Sequence, residues 1–305
     1  MVIRNEFWFT PRRKLWGLWL VAATAISVLG LHRAQSAGND PPPVKLVDAR
    51  IPGGALVIAG GGYVAADVRE RFVNLAGGPQ ARIVVIPACD PRPGHEGEWL
   101  EPWRNLGVQS VELCNARDRE MANDPAFCQP LIKATGVWFS GGYQDLLAKR
   151  YVDTAVQVCL RELLQRNGVI GGCSAGAAIL SRVMIEEGEN KPVEARGLGL
   201  ISNAIIDQHL LRRNRVWRLQ QMLDSHPDLC GLGIDERAAV VVEVESLRLS
   251  VIGESYALVC VPASGSHPSR IEVLKPGDDV LLSQLRSDHL AYHPPKDWNT
   301  SLGAE

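Results

Sequence analysis

From residue 55 onward, short apolar runs alternate with glycine-rich breaks and amphipathic stretches. Residues 55–59 (A-L-V-I-A) are apolar and partly β-branched, which predicts a strand buried on both faces. Gly60-Gly61-Gly62 ends it, and 67–76 follows as a helix with Val68, Phe72 and Leu75 on one face. The alternation continues. Strands are predicted at 82–88, 108–113, 136–140 and 169–170, with helices at 99–106, 123–131, 145–165 and 175–182. That rhythm predicts an α/β fold with a mostly parallel central sheet and helices on both faces. From Gly231 strands dominate (G-L-G-I-D, A-A-V-V-V-E-V, L-R-L-S-V-I, Y-A-L-V-C-V), and they predict C-terminal β-hairpins at the sheet's edge. The pattern is that of a single catalytic-size domain over 51–275 with a C-terminal extension at 276–305.

Composition changes this picture little. In 305 residues, 46% are hydrophobic and 22% charged, which is globular and enough for a sizeable core. The net charge of −2 gives no basic excess for nucleic acid. The charge is unevenly placed, however. Residues 1–37 hold five Lys/Arg against one acid; the rest holds 27 against 33. Arg12, Arg13 and Lys14 precede a charge-free run at 15–31, and small residues follow. This describes a secretory signal peptide cut after Ser36 or Ala37, with an uncleaved N-terminal anchor as the alternative. Export is the expectation. Residues 38–50, with Pro41, Pro42 and Pro43, form a stiff linker. All seven cysteines lie beyond the leader and none forms C-x-x-C. For an exported chain, Cys114 and Cys128 are a candidate disulfide; the others suit a core.

Ligands of open α/β sheets bind at the carboxyl ends of the strands. Three such ends here are glycine-rich. Residues 60–65 fit G-x-G-x-x-A, a dinucleotide-type variant that an ordinary tight turn explains better. Gly141-Gly142 adjoins a sharper signal. Gly172-Cys173-Ser174-Ala175-Gly176 is G-x-S-x-G between a strand and a helix, the setting of a nucleophilic serine on a tight turn. The N–H of Ala175, at the start of a helix, suits one oxyanion donor, and Gly142 the second. A serine needs a base and the base an orienter. Among seven histidines, His209 stands out: it ends A-I-I-D-Q-H ahead of an arginine cluster. Asp235 and Glu236 close an apolar strand and offer the carboxylate. The order serine, histidine, acid differs from that of the α/β-hydrolases. His95-Glu96 is not H-E-x-x-H, so no metal is indicated, and the chemistry calls for no cofactor.

Four segments together carry a resemblance: W-F-S-G-G-Y-Q at 138–144, G-G-C-S-A-G-A at 171–177, D-Q-H-L-L-R-R-N-R-V-W-R-L at 207–219 and G-L-G-I-D-E-R-A-A at 231–239. They resemble the cyanophycinase family, serine peptidases related to the aspartyl dipeptidases. The resemblance spans roughly 50–265. It implies a class I glutamine amidotransferase-like fold, a Ser174-His209-Glu236 triad, and a homodimer. It further implies cyanophycin as substrate, a poly-aspartate with arginine on each β-carboxyl, cut to β-Asp-Arg dipeptides. Substrate-binding roles fall on Gln144, Asp207, Gln208, Arg213, Arg215 and Arg218, and guanidinium forks suit a carboxylate-rich ligand. Two positions depart from the family pattern: Tyr143 replaces the usual Asp or Asn, and Cys173 replaces the frequent Thr. Other readings are a related peptidase of aspartyl or isoaspartyl peptides, a non-catalytic binding protein of the same fold, and an amidotransferase-like enzyme using Cys173.

Overall fold

The computed structural model describes residues 46–90, 94–263 and 268–285. The expected leader, the prolines of the linker and residues 286–305 lie outside them. Among the described residues no helix is long and apolar enough to cross a membrane.

The chain opens with β1 (Ala55–Ala59) and α1 (Ala66–Leu75), then β2 (Arg82–Ala88), α2 (Gly97–Arg104) and β3 (Ser110–Leu113). The helix expected at 123–131 is two: α3 (Arg119–Asn123) and α4 (Pro125–Lys133). Asp124 divides them, its carboxylate accepting the Ala126 N–H at 2.8 Å with Pro125 in the first turn. After β4 (Gly136–Gly142), the span expected as one helix is α5 (Gln144–Tyr151) and α6 (Ala155–Gln165). The break is at Asp153, whose φ of 57° no helix accommodates. β5 (Val169–Cys173) leads to α7 (Ala175–Ala178), a single turn rather than a helix to 182. A hairpin not foreseen in the pattern follows, β6 (Val183–Glu187) and β7 (Val193–Arg196). Then come β8 (Ala204–Gln208), α8 (Val216–Ser225), β9 (Cys230–Ile234), β10 (Ala238–Glu243), β11 (Arg248–Gly253), β12 (Ala257–Val261), β13 (Arg270–Leu274), β14 (Asp279–Leu281) and α9 (Leu282–Leu285).

Eight strands form the central sheet in the order β14-β11-β10-β1-β5-β4-β2-β3. The five from β1 to β3 run parallel, and β10, β11 and β14 extend the β1 edge antiparallel. Period-2 alternation sorts the side chains. Leu56 and Ile58 face the core under α4, α5 and α6, while Ala55, Val57 and Ala59 face α1 and α2. On the latter side Phe72, Trp103 and Trp138 pack with ring centroids 5.0–5.2 Å apart.

Only part of the C-terminal strand region edges this sheet. β8, β9, β12 and β13 build a separate sheet, order β13-β12-β9-β8, in which β8 and β9 are parallel. Ile206, Leu232, Ile234 and Val259 share the main core, and Ile205, Leu258 and Cys260 pack under α8. The folded region also outruns both expected limits. Leu46 and Ile51 pack on the core and the Val47 N–H donates to Asn74 Oδ1, so the fold begins inside the stretch read as linker. β14 pairs with β11, so it continues past 275. Cys114 and Cys128 are both buried thiols in the core, not a disulfide, and none of the seven cysteines forms a disulfide.

Candidate active site

The carboxyl ends of β1, β5 and β4 lie side by side in the main sheet, and those of β8 and β9 side by side in the second. Ser174, His209 and Glu236 each come from one of these ends. Ser174 follows β5 with φ 56° and ψ −114°, a backbone state costing about 1–3 kcal/mol for a side-chain-bearing residue. The surroundings enforce it. The Ser174 N–H donates to Ala59 O at 3.1 Å, and its carbonyl accepts from Ala177 and Ala178. A Cβ on Gly172 would stand 2.1 Å from Gly176 O, and one on Gly176 2.3 Å from Phe139 O, so the elbow closes only with glycines there.

His209 is the first residue beyond β8. Its N–H donates to Gly60 O at 2.7 Å, which pins it to the end of β1. Its Nε2 lies 2.8 Å from Ser174 Oγ, and its Nδ1 lies 2.6 Å from Glu236 Oε1. Glu236 sits two residues beyond β9. The two candidate carboxylates thus separate: Asp235 accepts the backbone N–H groups of Leu211 and Arg212 and the Ser255 hydroxyl, holding the turn that carries the imidazole. Burial lowers the His209 pKa below its ordinary value, and the positive charges of Arg213 and Arg215 push the same way, against the Glu236 hydrogen bond that raises it. The ring is therefore neutral and able to accept a proton at neutral pH.

Gly60-Gly61-Gly62 is where sequence reasoning fell short. The dinucleotide-type run is a seat for His209 and Glu236. A Cβ on Gly61, whose φ is +126°, would lie 2.2 Å from His209 Cε1. A Cβ on Gly62 would lie 3.1 Å from Glu236 Oε2. Gly61 O also accepts the Arg237 N–H, next to Glu236.

Ser174 opens into a cleft of about 580 Å³. Its walls include Gly142 and Tyr143 at the end of β4, Gln144 of α5, residues 186–189 of the β6–β7 hairpin, and Gln208, Arg213, Arg215 and Arg218. The cleft is charged in both senses.

The profile of Peptidase family S51 matches residues 55–250, a span that holds the whole arrangement. The chain belongs to peptidase family S51. It is a serine-type peptidase. It is 31% identical over 252 residues to the cyanophycinase of Synechococcus elongatus, covering 75% of this chain and 78% of that protein. It is 32% identical over 229 residues to the cyanophycinase of Geminocystis herdmanii, covering 72% and 84%. Among solved structures, a peptidase from an acI-B1 Actinobacterium matches with a TM-score of 0.55 at 24% identity, over 75% of this chain and 96% of that one, and shares the fold.

Within this S51 site, the residues expected to hold substrate divide. Gln144, Gln208, Arg213, Arg215 and Arg218 line the cleft, as does Gly142, the expected oxyanion donor. Asp207 does not: it is fully buried and its carboxylate takes a two-pronged bond from Arg218, with Nε–Oδ2 at 2.9 Å. Arg215 bonds Glu189 and the Gln208 Oε1. Gln144 Nε2 donates to the Ile185 and Glu186 carbonyls at 2.7 and 2.6 Å. Arg213 is exposed, so the paired arginines at 212 and 213 are not equivalent to the buried ones after them. The acidic hairpin wall at 186–189 was missed: V-M-I-E-E and the turn residues G-E-N-K-P after it mark a hairpin, but nothing in them shows that it folds over Ser174. Cys173 is buried under the elbow and burial pushes its thiol up to about 12, leaving no thiolate to act at neutral pH. Of the other described histidines, His95 pairs with Glu98 and His226 with Glu194. Among the described residues no three His, Cys, Asp or Glu cluster as metal ligands.

Proposed function

We propose that this S51 peptidase hydrolyses cyanophycin and releases β-Asp-Arg dipeptides, with Ser174, His209 and Glu236 as its triad. Ser174 Oγ attacks the scissile carbonyl carbon as His209 Nε2 takes its proton. Glu236 holds the imidazole by Nδ1 and stabilises the cation that forms. The N–H groups of Ala175 and Gly142 hold the oxyanion. With α7 a single turn, this is the work of individual N–H groups rather than of a long helix dipole. The imidazolium protonates the leaving amine as the C–N bond breaks. Water then gives its proton to His209, attacks the acyl carbon, and restores the serine.

The observation that carries the reading is the unbroken chain of 2.8 and 2.6 Å contacts opening into a cleft charged in both senses. Relatives that bear the name cyanophycinase, at 30–32% identity, support the substrate. Mass spectrometry of the products from the purified protein and cyanophycin tests it. Accumulating β-Asp-Arg is expected; intact polymer rejects the reading. A second reading, cleavage of other aspartyl or isoaspartyl peptides, is favoured by Tyr143 in the cleft, where the family pattern has Asp or Asn. Faster turnover of short Asp-Xaa peptides than of the polymer would select it. We further propose export, motivated by the basic start and apolar run of the first 37 residues. Cell fractionation that finds the protein solely in the cytosol would discard it.

A further inference from the structure

A hydrogen-bond account of the cleft separates groups that hold the protein from groups left for a ligand. Gln144 uses both amide hydrogens on the hairpin carbonyls, and its Oε1 accepts from Gln208. Arg218 is taken up by Asp207 and the Gly188 carbonyl. Arg215 is taken up by Glu189 and Gln208, and Lys149 by Asp145. Gln144, Arg215 and Arg218 are positioning residues that fix the β6–β7 hairpin as one wall, whereas the Lys149–Asp145 pair lies within α5. Besides Arg213, the cleft then retains three side chains with no hydrogen bond or ion pair among the described residues: Tyr143, Glu186 and Glu187. Tyr143 is 66% exposed although it directly follows Gly142, so its ring is not spent on the core.

We propose that Tyr143, Glu186 and Glu187 form the specificity surface for a cationic side chain of the substrate, a guanidinium above all. The two carboxylates on this wall of the cleft supply negative charge and acceptors for a guanidinium, and the exposed phenol offers a face for the flat cation. Arg213 remains for the substrate's carboxylate. The cleft therefore reads a residue that carries both charges. This deepens, and rests on, the cyanophycin reading.

The test uses two short poly-aspartate peptides, one with arginine on the β-carboxyls and one with citrulline, which keeps the shape and loses the charge. The readout is the ratio of their kcat/KM values. Wild type should favour arginine by at least about tenfold. Glu186→Gln with Glu187→Gln should bring the ratio below about threefold, and Tyr143→Leu should lower it about threefold. Both glutamates reach solvent, so glutamine at these positions leaves the core untouched. Cleavage of both peptides with a wild-type ratio near one, or with a ratio unmoved by the double substitution, overturns this inference alone. Cleavage of neither peptide by wild type rejects the cyanophycin reading and this inference with it.

Discussion

Gly61→Ala is a single methyl placed against the imidazole of His209, the proposed base. The added Cβ would stand 2.2 Å from His209 Cε1, 2.5 Å from Nε2 and 2.7 Å from Nδ1. Ordinary contact begins at 3.4 Å, so the ring has to retreat by about 1 Å. It has little room to do so, being 6% exposed and tethered through its N–H to Gly60 O. A retreat of that size lengthens the 2.8 Å contact with Ser174 Oγ beyond hydrogen-bonding reach or breaks the 2.6 Å contact with Glu236. Misplacement by about 1 Å costs on the order of 10²-fold, and full loss of the base costs more. The expected result is a kcat lower by about 10²–10⁴-fold, with KM within about threefold because the charged walls are untouched. The φ of +126° adds backbone strain of about 1–3 kcal/mol, read as a lower melting temperature. Steady-state kinetics on cyanophycin, beside a thermal melt, separate the two effects. A folded Gly61→Ala protein with kcat within about twofold of wild type would refute the argument that this glycine exists to seat His209.

The pH profile follows from the imidazole. Because the His209 pKa is lowered and the neutral ring is the working form, kcat/KM should rise with pH through a midpoint below the ordinary imidazole value of about 6.5 and be level by pH 7; a midpoint above 7 would contradict the burial argument. Asp207→Ala strands the buried Arg218 charge and should cost about 3–5 kcal/mol, a melting-temperature drop on the order of 10 °C by calorimetry; an unchanged melt would show that the pair is not structural. Iodoacetamide at pH 7 should leave hydrolysis within about twofold, since the Cys173 thiol is buried and held protonated; rapid inactivation that maps to Cys173 would revive a thiol mechanism.

Much of the fold is legible because its signals are local. Each parallel strand is a short apolar run stopped by glycine or a polar turn, and the elbow at 172–176 announces itself by spacing. The proposed triad is legible for a related reason: its serine, histidine and acid each lie within two residues of the end of an apolar strand. What escaped depends on contacts between distant segments. That Ala204–Gln208 and Cys230–Ile234 pair in parallel, and so bring His209 beside Glu236, is a property of the second sheet and not of either segment. Gly61 illustrates the same limit. Nothing around it distinguishes a dinucleotide turn from a seat for an imidazole 148 positions later. The α5–α6 break was hidden because Asp153 takes its positive φ without a glycine or proline nearby. Asp207 reads as a pocket acid beside the base, but period 2 turns its side chain away from the cleft towards Arg218.

Whether Ser174 is the nucleophile can be asked of the protein directly. An organophosphate such as diisopropyl fluorophosphate is added in steps, residual cyanophycin hydrolysis is recorded, and the modified peptide is mapped by mass spectrometry. Activity should fall in proportion to the fraction of Ser174 carrying the phosphoryl group, reaching zero at full occupancy. Full activity with Ser174 completely modified, or inactivation with the adduct on a different residue, would contradict the triad on which the account stands.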